Sequence, residues 1–348
     1  MYSDLKISIC IPQYNRIKYL LKSLKIIESQ NYPNIEIVIS DDCSADDTAI
    51  EIEKLALHYK YSIVFDVNPI NMGFDRNYRK CIEMASGDYS LIIGNDDSLY
   101  GDDSIQFLVD FLIDNNLPDI GFCNLIEDRT GGTLIKRAFG NRIIGSGSEV
   151  ALKNYSCFSF VGGLIYKRET FLLHNTSKYD GSIYAQMYLG VYMIAKGATL
   201  FCIEKPLVLK DILLDGRFRN SYRDRIAKKW SDYKVVDGGL PSVINVIIGA
   251  LKDAGTLTQR DIFSIFKRIY TITYPHWILD YKENNALPEA CGLIAGLKPG
   301  RNKNYNLLSF KNKSLINILY FSGSLGALIT PVFLFKLVKQ KLYSYFKK

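Results

Sequence analysis

The sequence predicts an α/β fold in which a mostly parallel sheet is flanked by helices and followed by a helical C-terminal appendage. Two observations lead to this prediction. From Lys6 onwards, short runs rich in Ile and Val alternate with helical patterns, as they do in parallel sheets. After Lys229 the strand pattern stops, and residues 240–251 and 262–272 show helical spacing instead.

The length of the chain allows more than one structural unit. With 348 residues it can form a large α/β domain and still carry an appendage. We expect the α/β domain at residues 1–225, the helical appendage at 226–313 and a separate tail at 314–348.

Four strands are predicted in the first hundred residues, and a polar segment follows each of them. The strands are expected at 5–11, 35–40, 61–67 and 89–93. In sheets of this kind, ligands bind beyond the carboxyl ends of the strands. We therefore expect one ligand crevice, formed by the polar segments 12–16, 41–44, 71–73 and 95–97.

Capping residues and glycines mark the remaining elements. Asn15 is expected to N-cap the first helix, and Asp46 and Thr48 to open the second. Gly162 and Gly163 interrupt an apolar run, where they either let strands pack closely or let the backbone approach another group closely. The other predicted elements are helices at 103–115 and 187–197 and strands at 120–125, 160–168 and 199–203.

The fourth strand ends in Asn95, Asp96 and Asp97, which place two adjacent carboxylates beside a buried run. Burying such charges is costly unless a cation meets them. Hard ions such as Mg²⁺ and Mn²⁺ prefer carboxylate oxygens and also bind phosphate oxygens. The alternative is an Asp-rich turn, because Gly, Asn and Asp all favour turn conformations.

The composition is that of a folded globular protein, with 48% apolar and 23% charged residues. Lys and Arg exceed Asp and Glu by 43 to 36, and the excess lies late in the chain. This favours anionic lipid or an anionic substrate over nucleic acid. The seven cysteines show no metal-ligand spacing, so we expect neither zinc nor a disulfide framework, and the N-terminus shows no signal-peptide pattern.

Taken together, these motifs resemble the family 2 glycosyltransferases, which share the GT-A fold. The resemblance covers residues 6–222, and within the family it is strongest to the abequosyltransferase-type enzymes of bacterial O-antigen synthesis. The matching segments are 11–16, 41–44 with Asp46 and Thr48, 71–73, 85–89, and the DxD-type motif at 95–97.

The resemblance implies that a nucleotide sugar lies across the strand ends. Asp97, with Asp96, would ligate a divalent metal, Mn²⁺ or Mg²⁺, which stabilises the departing nucleoside diphosphate. Tyr14 and Asn15 have a competing interpretation as a turn and a helix cap. The residues expected to bind the donor are Pro12, Tyr14, Asn15, Asp42, Asn71, Arg76, Asn95, Asp96 and Arg219.

The sequence departs from the family at the catalytic base. Inverting members usually carry a Glu-Asp pair whose Asp deprotonates the acceptor, but that register falls here on Ala185 and Gln186. Since glutamine cannot act as a base, Asp180 is the nearest candidate. The alternatives are a different carboxylate, a reaction that retains anomeric configuration, or an inactive enzyme.

The C-terminal tail combines apolar and basic residues. Residues 314–335 carry no charge but are interrupted by polar residues, Gly and Pro, so we expect a broken pair of short helices in the membrane interface. An ordinary core or dimer helix is the alternative. In the last helix, the stripe Phe335, Val338, Leu342 and Tyr345 is expected to oppose Lys336, Lys339, Lys347 and Lys348.

The sequence thus predicts a metal-dependent glycosyltransferase that extends a surface glycan such as O-antigen. Its expected partners are a nucleotide-sugar donor, a saccharide acceptor on a lipid carrier and the inner membrane surface, with no nucleic acid. The expected location is the cytoplasm, at the inner face of the membrane. The alternatives are a nucleotidyl- or phosphotransferase and a non-catalytic sugar-nucleotide-binding or scaffold protein.

Overall fold

A computed structural model describes residues 4–216 and 240–347. Within these ranges ten strands form one sheet, and helices cover both of its faces. The strands are β1 (Ile7–Gln13), β2 (Ile35–Asp41), β3 (Ser62–Val67), β4 (Tyr89–Ile92), β5 (Ser98–Leu99), β6 (Ile120–Glu127), β7 (Thr133–Ile135), β8 (Arg142–Gly145), β9 (Leu164–Lys167) and β10 (Leu200–Lys210).

Seven helices accompany these strands in residues 4–216, and six more follow in residues 240–347. The first group is α1 (Ile17–Ile27), α2 (Thr48–Ala56), α3 (Phe74–Met84), α4 (Ser104–Asp114), α5 (Ser148–Asn154), α6 (Arg168–His174) and α7 (Ala185–Ala195). The second is α8 (Leu240–Asp253), α9 (Gln259–Arg268), α10 (Tyr274–Glu283), α11 (Leu287–Gly296), α12 (Phe310–Ile329) and α13 (Val332–Lys347).

The strand order is β3-β2-β1-β4-β9-β6-β10-β5, with β7 beside β6 and β8 beside β10. The first four strands are parallel, as predicted. The sheet is mixed because β9 runs antiparallel to both β4 and β6. The predicted α/β class and the predicted helical appendage are confirmed.

The central strands are buried on both faces, so their sequences are almost continuously apolar. Along β1, Ile9 and Ile11 pack in a core on one side of the sheet, whereas Cys10 packs in the core on the other side. The second core continues into the C-terminal helices, where α8 packs along α7. The predicted boundary at residue 225 lies outside the described residues.

Two local predictions were wrong. Asn15 does not N-cap the first helix: α1 begins at Ile17, and the Asp46 carboxylate accepts a hydrogen bond from the Ile17 N–H at 2.9 Å. The strand predicted at 160–168 is shorter, because β9 begins only after Gly163, whose φ of +75° is left-handed.

The C-terminal pair of helices is longer than predicted and sharply bent. α12 has 20 residues, and α13 is bent by 105° relative to it. Thr330 and Pro331 form the break between the two helices. Pro cannot continue a helical hydrogen-bond ladder, which accounts for the break at this position. In the described part of the chain, no single helix has the length and hydropathy of a membrane span. Within the same residues, only this bent pair has them when its two helices are taken together.

The prediction of an apolar stripe opposite the lysines of the last helix was also wrong for its first residue, Phe335. The Phe335 side chain is only 1% exposed, because its ring packs edge-on against His276 of α10. The α13 residues on either side of it, Leu334 and Lys336, are exposed instead.

Candidate active site

The carboxyl ends of β3, β2, β1 and β4 lie side by side. β1 pairs with β2 as far as Gln13 and Asp41, and with β4 as far as Cys10 and Ile92. β2 in turn pairs with β3 through Asp41 and Val67. The four polar segments predicted to meet in one crevice therefore leave the sheet at the same edge.

Hydrogen bonds join these segments to one another. The Asn15 N–H donates to Ser44 Oγ at 2.6 Å, and Asn15 Oδ1 accepts from the Ala45 N–H at 2.9 Å. Asn95 Nδ2 donates to the Tyr14 carbonyl at 3.2 Å. The loops after β1, β2 and β4 thus form one connected surface, which carries the predicted donor-binding residues Tyr14, Asn15, Asn95 and Asp96. Pro12 lies within β1, where it pairs with Ser40 of β2.

Asp42 is buried and organises the loop after β3. Its Oδ1 accepts from the Met72 N–H at 2.7 Å and from Asn68 Nδ2 at 3.0 Å, while Oδ2 accepts from the Gly73 N–H at 3.0 Å. Asn71 caps the same turn, since its Oδ1 accepts from the Gly73 N–H at 3.1 Å. A carboxylate offers about four acceptor positions, so Asp42 retains capacity for a ligand N–H. Its bond to a nucleotide base stays a prediction.

Arg76 lies in the first turns of α3 and is exposed. It borders a cleft of about 600 Å³ that is also lined by Arg79, Lys80, Glu83 and residues 175–177. Two of the cations that line this cleft are already paired with carboxylates, Arg79 with Glu83 and Asp180, and Lys80 with Asp66.

Asp96 forms an ion pair with Arg16 across the crevice. Arg16 Nη1 lies 2.7 Å from Asp96 Oδ2, and both side chains are largely buried, at 11% and 17% exposed. Asn15 and Arg16 are both left-handed, with φ of 52° and 65°, and this turn directs the guanidinium towards the end of β4. Sequence reasoning assigned no role to Arg16.

The Asp97 carboxylate is almost completely buried, at 1% exposed. Its Oδ1 accepts from the Asp211 N–H at 3.0 Å, and its Oδ2 accepts from the Gly94 N–H at 3.1 Å. A Cβ at Gly94 would lie 2.9 Å from Asp97 Oδ2 and 3.1 Å from Asp96 Oδ1, so the two carboxylates converge over this glycine. A Cβ at Gly162 would lie 2.8 Å from the same Asp97 oxygen. Any larger residue at either glycine would crowd the carboxylate.

Burial raises the pKa of the Asp97 carboxyl to about 7. The neighbouring carboxylates of Asp96 and Asp211 add to the rise, whereas the Asp211 N–H and the Lys210 ammonium oppose it. Lys210 is itself paired with Asp211 and with Glu127, whose Oε1 lies 3.0 Å from Lys210 Nζ. Asp97 is therefore a carboxyl whose protonated and ionised forms are both populated near neutral pH.

The donor set fits a hard divalent cation. The side-chain atoms that converge over Gly94 are carboxylate oxygens, the ligands that Mg²⁺ and Mn²⁺ prefer. Among residues 4–216 and 240–347, no group of three or more His, Cys, Asp or Glu side chains forms a ready-made metal cage. A cation held by Asp96 and Asp97 would therefore take its other ligands from phosphate oxygens and water.

Asp180 lies in the loop before α7 and is held by α3. Arg79 Nε donates to Asp180 Oδ1 at 2.9 Å, and Arg79 Nη2 donates to Oδ2 at 2.6 Å. This two-point contact raises the pKa of the Arg79 guanidinium and keeps both Asp180 oxygens engaged. The carboxylate keeps acceptor positions for an acceptor hydroxyl beside this contact, and the role of Asp180 as base stays a prediction.

The position expected for the family's base is buried in this chain. Gln186 is 2% exposed, and its Oε1 has no hydrogen-bond partner. The start of α7 is instead held by Asp75, whose carboxylate accepts from the N–H groups of Ile183 at 2.8 Å and Ala185 at 3.2 Å. Asp75 and Arg79 of α3 thus fix the loop that carries Asp180.

Besides Arg16, sequence reasoning missed two residues near the crevice, and one predicted residue cannot be placed. Arg219 lies outside the described residues. Asp211 reaches Asp97 from the end of β10, and Arg137 is buried at 3% exposed while it donates to the carbonyls of Cys123, Cys157, Phe160 and Gly162. Neither residue lies in a local motif, and each contacts segments distant in the chain, so the sequence held no signal for them.

Comparison with known proteins identifies the class of this fold and site. Residues 8–170 match the sequence profile of "Glycosyl transferase family 2". The chain belongs to this family and is a glycosyltransferase.

The chain is also similar to individual glycosyltransferases of known name and to a solved structure. The chain is 32% identical over 223 residues to abequosyltransferase RfbV of Salmonella typhimurium, and the match spans 58% of this chain and 66% of that protein. It is 26% identical over 226 residues to GalNAc(5)-diNAcBac-PP-undecaprenol beta-1,3-glucosyltransferase of Campylobacter jejuni, spanning 63% and 70% of the two chains. The fold is similar to that of TarS 1-349 of S. aureus, crystallised in complex with UDP, with a TM-score of 0.61, 15% identity and 92% of each chain covered.

Proposed function

We propose that this glycosyltransferase transfers a sugar from a nucleoside diphosphate sugar, with a divalent cation, to a saccharide on a lipid carrier. The product would be a bacterial surface glycan such as O-antigen. The observation that carries the proposal is the convergence of Asp96 and Asp97 oxygens over Gly94, inside a crevice made by four strand ends. That arrangement suits a diphosphate and the cation that accompanies it.

Each group in the crevice has a physical task in this proposal. When bound, a divalent cation would stabilise the negative charge that develops on the departing nucleoside diphosphate. Asp96 and Asp97 would hold the cation, while the Asp211 and Gly94 N–H groups keep the Asp97 carboxylate in place. Arg16, which is paired with Asp96, would contribute positive charge at the same site.

Relatives support the choice of substrates. Abequosyltransferase RfbV and the undecaprenol-linked glucosyltransferase are both named for sugar transfer, and the second name includes a lipid diphosphate acceptor. TarS 1-349 was crystallised with UDP and with UDP-GlcNAc, which are ligands of the proposed donor class. A lipid-linked acceptor would place the enzyme at the cytoplasmic face of the membrane.

The metal and donor site is tested by replacing Asp97. We expect Asp97→Ala to lower sugar transfer by about two orders of magnitude or more, because the leaving group loses its main electrostatic support. Asp103→Ala is the matched control, since the Asp103 carboxylate is 58% exposed and pairs with Lys205. Wild-type turnover by Asp97→Ala would exclude the proposed site. Release of free nucleoside diphosphate together with a glycosylated acceptor separates sugar transfer from nucleotidyl or phosphoryl transfer.

The donor itself can be found by a binding screen. Nucleotide sugars tested with Mn²⁺ should raise the melting temperature in order of affinity, because a ligand at 100 times its Kd adds about 2.7 kcal/mol of stability. The stabilisation should disappear in Asp97→Ala and persist in Asp103→Ala.

The proposed base, Asp180, has a separate test. If Asp180 deprotonates the acceptor, Asp180→Asn should lower kcat by about 10²- to 10⁴-fold while donor binding stays unchanged. Arg79→Lys is the companion variant, because it removes the two-point contact and leaves the carboxylate present. Near-wild-type turnover in Asp180→Asn would assign the base elsewhere.

A further inference from the structure

The bent pair α12–α13 exposes a continuous apolar surface, which we call the docking face. On α12 its members are spaced by three or four residues, so they form one stripe along the helix. Each member is between 61% and 72% exposed. The docking face consists of Ile318, Phe321, Leu325 and Ile329 of α12 and Phe333 and Leu337 of α13.

Polar contacts with α10 fix the orientation of this face. Lys282 Nζ donates to the carbonyls of Ala327, Leu328 and Thr330 at 2.8, 2.6 and 2.8 Å, and so caps the end of α12. On α13, Lys339 Nζ lies 2.7 Å from Asp280 Oδ1 and 2.6 Å from Glu283 Oε2.

Packing contacts with α10 have the same effect. The Tyr274 hydroxyl meets Ser324 Oγ at 2.6 Å, and the Phe335 ring packs on His276. The buried sides of both helices therefore face α10, and the docking face points away from it. Its apolar side chains cannot turn inwards without breaking these contacts.

All charged side chains of the C-terminal segment that contains both helices are positive. From residue 290 to residue 348 there are ten Lys and Arg residues and no Asp or Glu, whereas the whole chain has a net charge of +7. The rest of the protein is therefore slightly acidic. Lys311 and Lys336 are exposed on the same two helices that carry the docking face.

We propose that the docking face binds the surface of an anionic lipid bilayer, with its apolar side chains in the interface and the flanking cations on the lipid headgroups. An exposed apolar stripe with the exposed cations Lys311 and Lys336 on the same two helices matches such a surface in both respects. This inference rests on the proposed function, since a lipid-linked acceptor lies in the same membrane. It differs from the pattern predicted by sequence, because Phe335 faces α10 and the α12 stripe supplies most of the apolar surface.

Charge argues against the other occupants. A second copy of the chain would bring two sets of cations together across an apolar contact, which is unfavourable. Nucleic acid would use the cations but would leave the apolar stripe without a partner.

The test uses the full-length protein and vesicles of defined composition. We expect wild-type protein to float with vesicles that contain phosphatidylglycerol, and to bind pure phosphatidylcholine vesicles at least about tenfold less. Phe321→Ser combined with Leu325→Gln should lower binding to the anionic vesicles about tenfold or more. Leu57→Gln is the matched control, because Leu57 is 88% exposed on the sheet domain and should not affect binding.

Three results would overturn the proposal: equal vesicle binding by wild type and the double variant, equal binding to neutral and anionic vesicles, or a wild-type dimer that the double variant abolishes. The proposed function is tested separately, by measuring sugar transfer to a water-soluble acceptor in the absence of vesicles. The double variant should keep that activity, whereas Asp97→Ala should lose it and still bind vesicles. Failure of either idea can thus be distinguished from failure of the other.

Discussion

The buried Asp97 carboxyl should make the stability of the ligand-free protein fall as pH rises towards neutrality. Its pKa is about 7 in the folded protein against an ordinary value of 3.8. Because the folded protein holds this proton more tightly than the unfolded chain does, the stabilisation is complete below about pH 4 and is lost as pH rises through 7. Between pH 5 and pH 7, the expected loss is about 2 kcal/mol.

The assay compares the melting temperatures of wild type and Asp97→Asn from pH 5 to pH 8, without metal or nucleotide. Asn cannot titrate, so the wild-type curve should fall relative to the variant by about 3–4 °C across this window. The difference in slope isolates Asp97, because groups such as His276 titrate in both proteins. Absolute stability is a poorer readout, since an Asn side chain cannot accept from both the Gly94 and the Asp211 N–H.

A matched control and a ligand experiment sharpen this test. Asp103→Asn should follow the wild-type slope, because that carboxylate is exposed and its pKa is lowered by Lys205. Mn²⁺ with a nucleoside diphosphate should stabilise the wild type more at pH 7.5 than at pH 5.5, since the cation and the proton compete for one carboxylate. Parallel curves for wild type and Asp97→Asn would refute the reasoning.

Two further variants test how the crevice is held. Gly162→Ala places a Cβ 2.8 Å from Asp97 Oδ2, so kcat should fall about tenfold or more, whereas Gly292→Ala, with open space around it, should be silent. Arg137→Met leaves four buried carbonyls without their donor and should lower the free energy of unfolding in urea by about 3 kcal/mol or more. Arg129→Met, at a side chain 41% exposed, should cost about 1 kcal/mol or less. A silent Gly162→Ala would show that the carboxylate has room to move, and equal losses from the two arginine variants would mean that the Arg137 bonds contribute little.

The parallel half of the fold was predictable because its information is local. Each strand of β1 to β4 has its own apolar run and its own polar end, and β-α-β succession places those ends on one edge. The sequence alone therefore predicts that the segments at 12–16, 41–44, 71–73 and 95–97 lie together.

Two other features of the site, the Asp211–Asp97 hydrogen bond and the Arg16–Asp96 ion pair, depend on contacts between segments that are distant in the chain. Nothing in the residues around Asp211 indicates that its N–H binds Asp97, because that bond depends on where β10 enters the sheet. The pairing of Arg16 with Asp96 depends similarly on a left-handed turn that the sequence around Asn15 does not specify.

The C-terminal helices show a different kind of limit. A helical pattern defines two faces, but it does not say which one meets protein. The start of α13 is apolar on nearly every side, so Phe335 and Phe333 were equal candidates for exposure. Contacts from α10, through Lys282 and His276, decide that Phe335 is buried.

The bond from Asp211 to Asp97 has a consequence for the order of events during synthesis. Asp97 belongs to the part of the chain that emerges first from the ribosome, but one of its two N–H donors arrives 114 residues later. The strands β1 to β4 can pair as soon as they emerge, whereas the surroundings of Asp97 are complete only when β10 has joined the sheet. A nascent chain in which these four strands have already paired would thus hold Asp97 with only one of its two N–H donors until β10 and Asp211 have also been made.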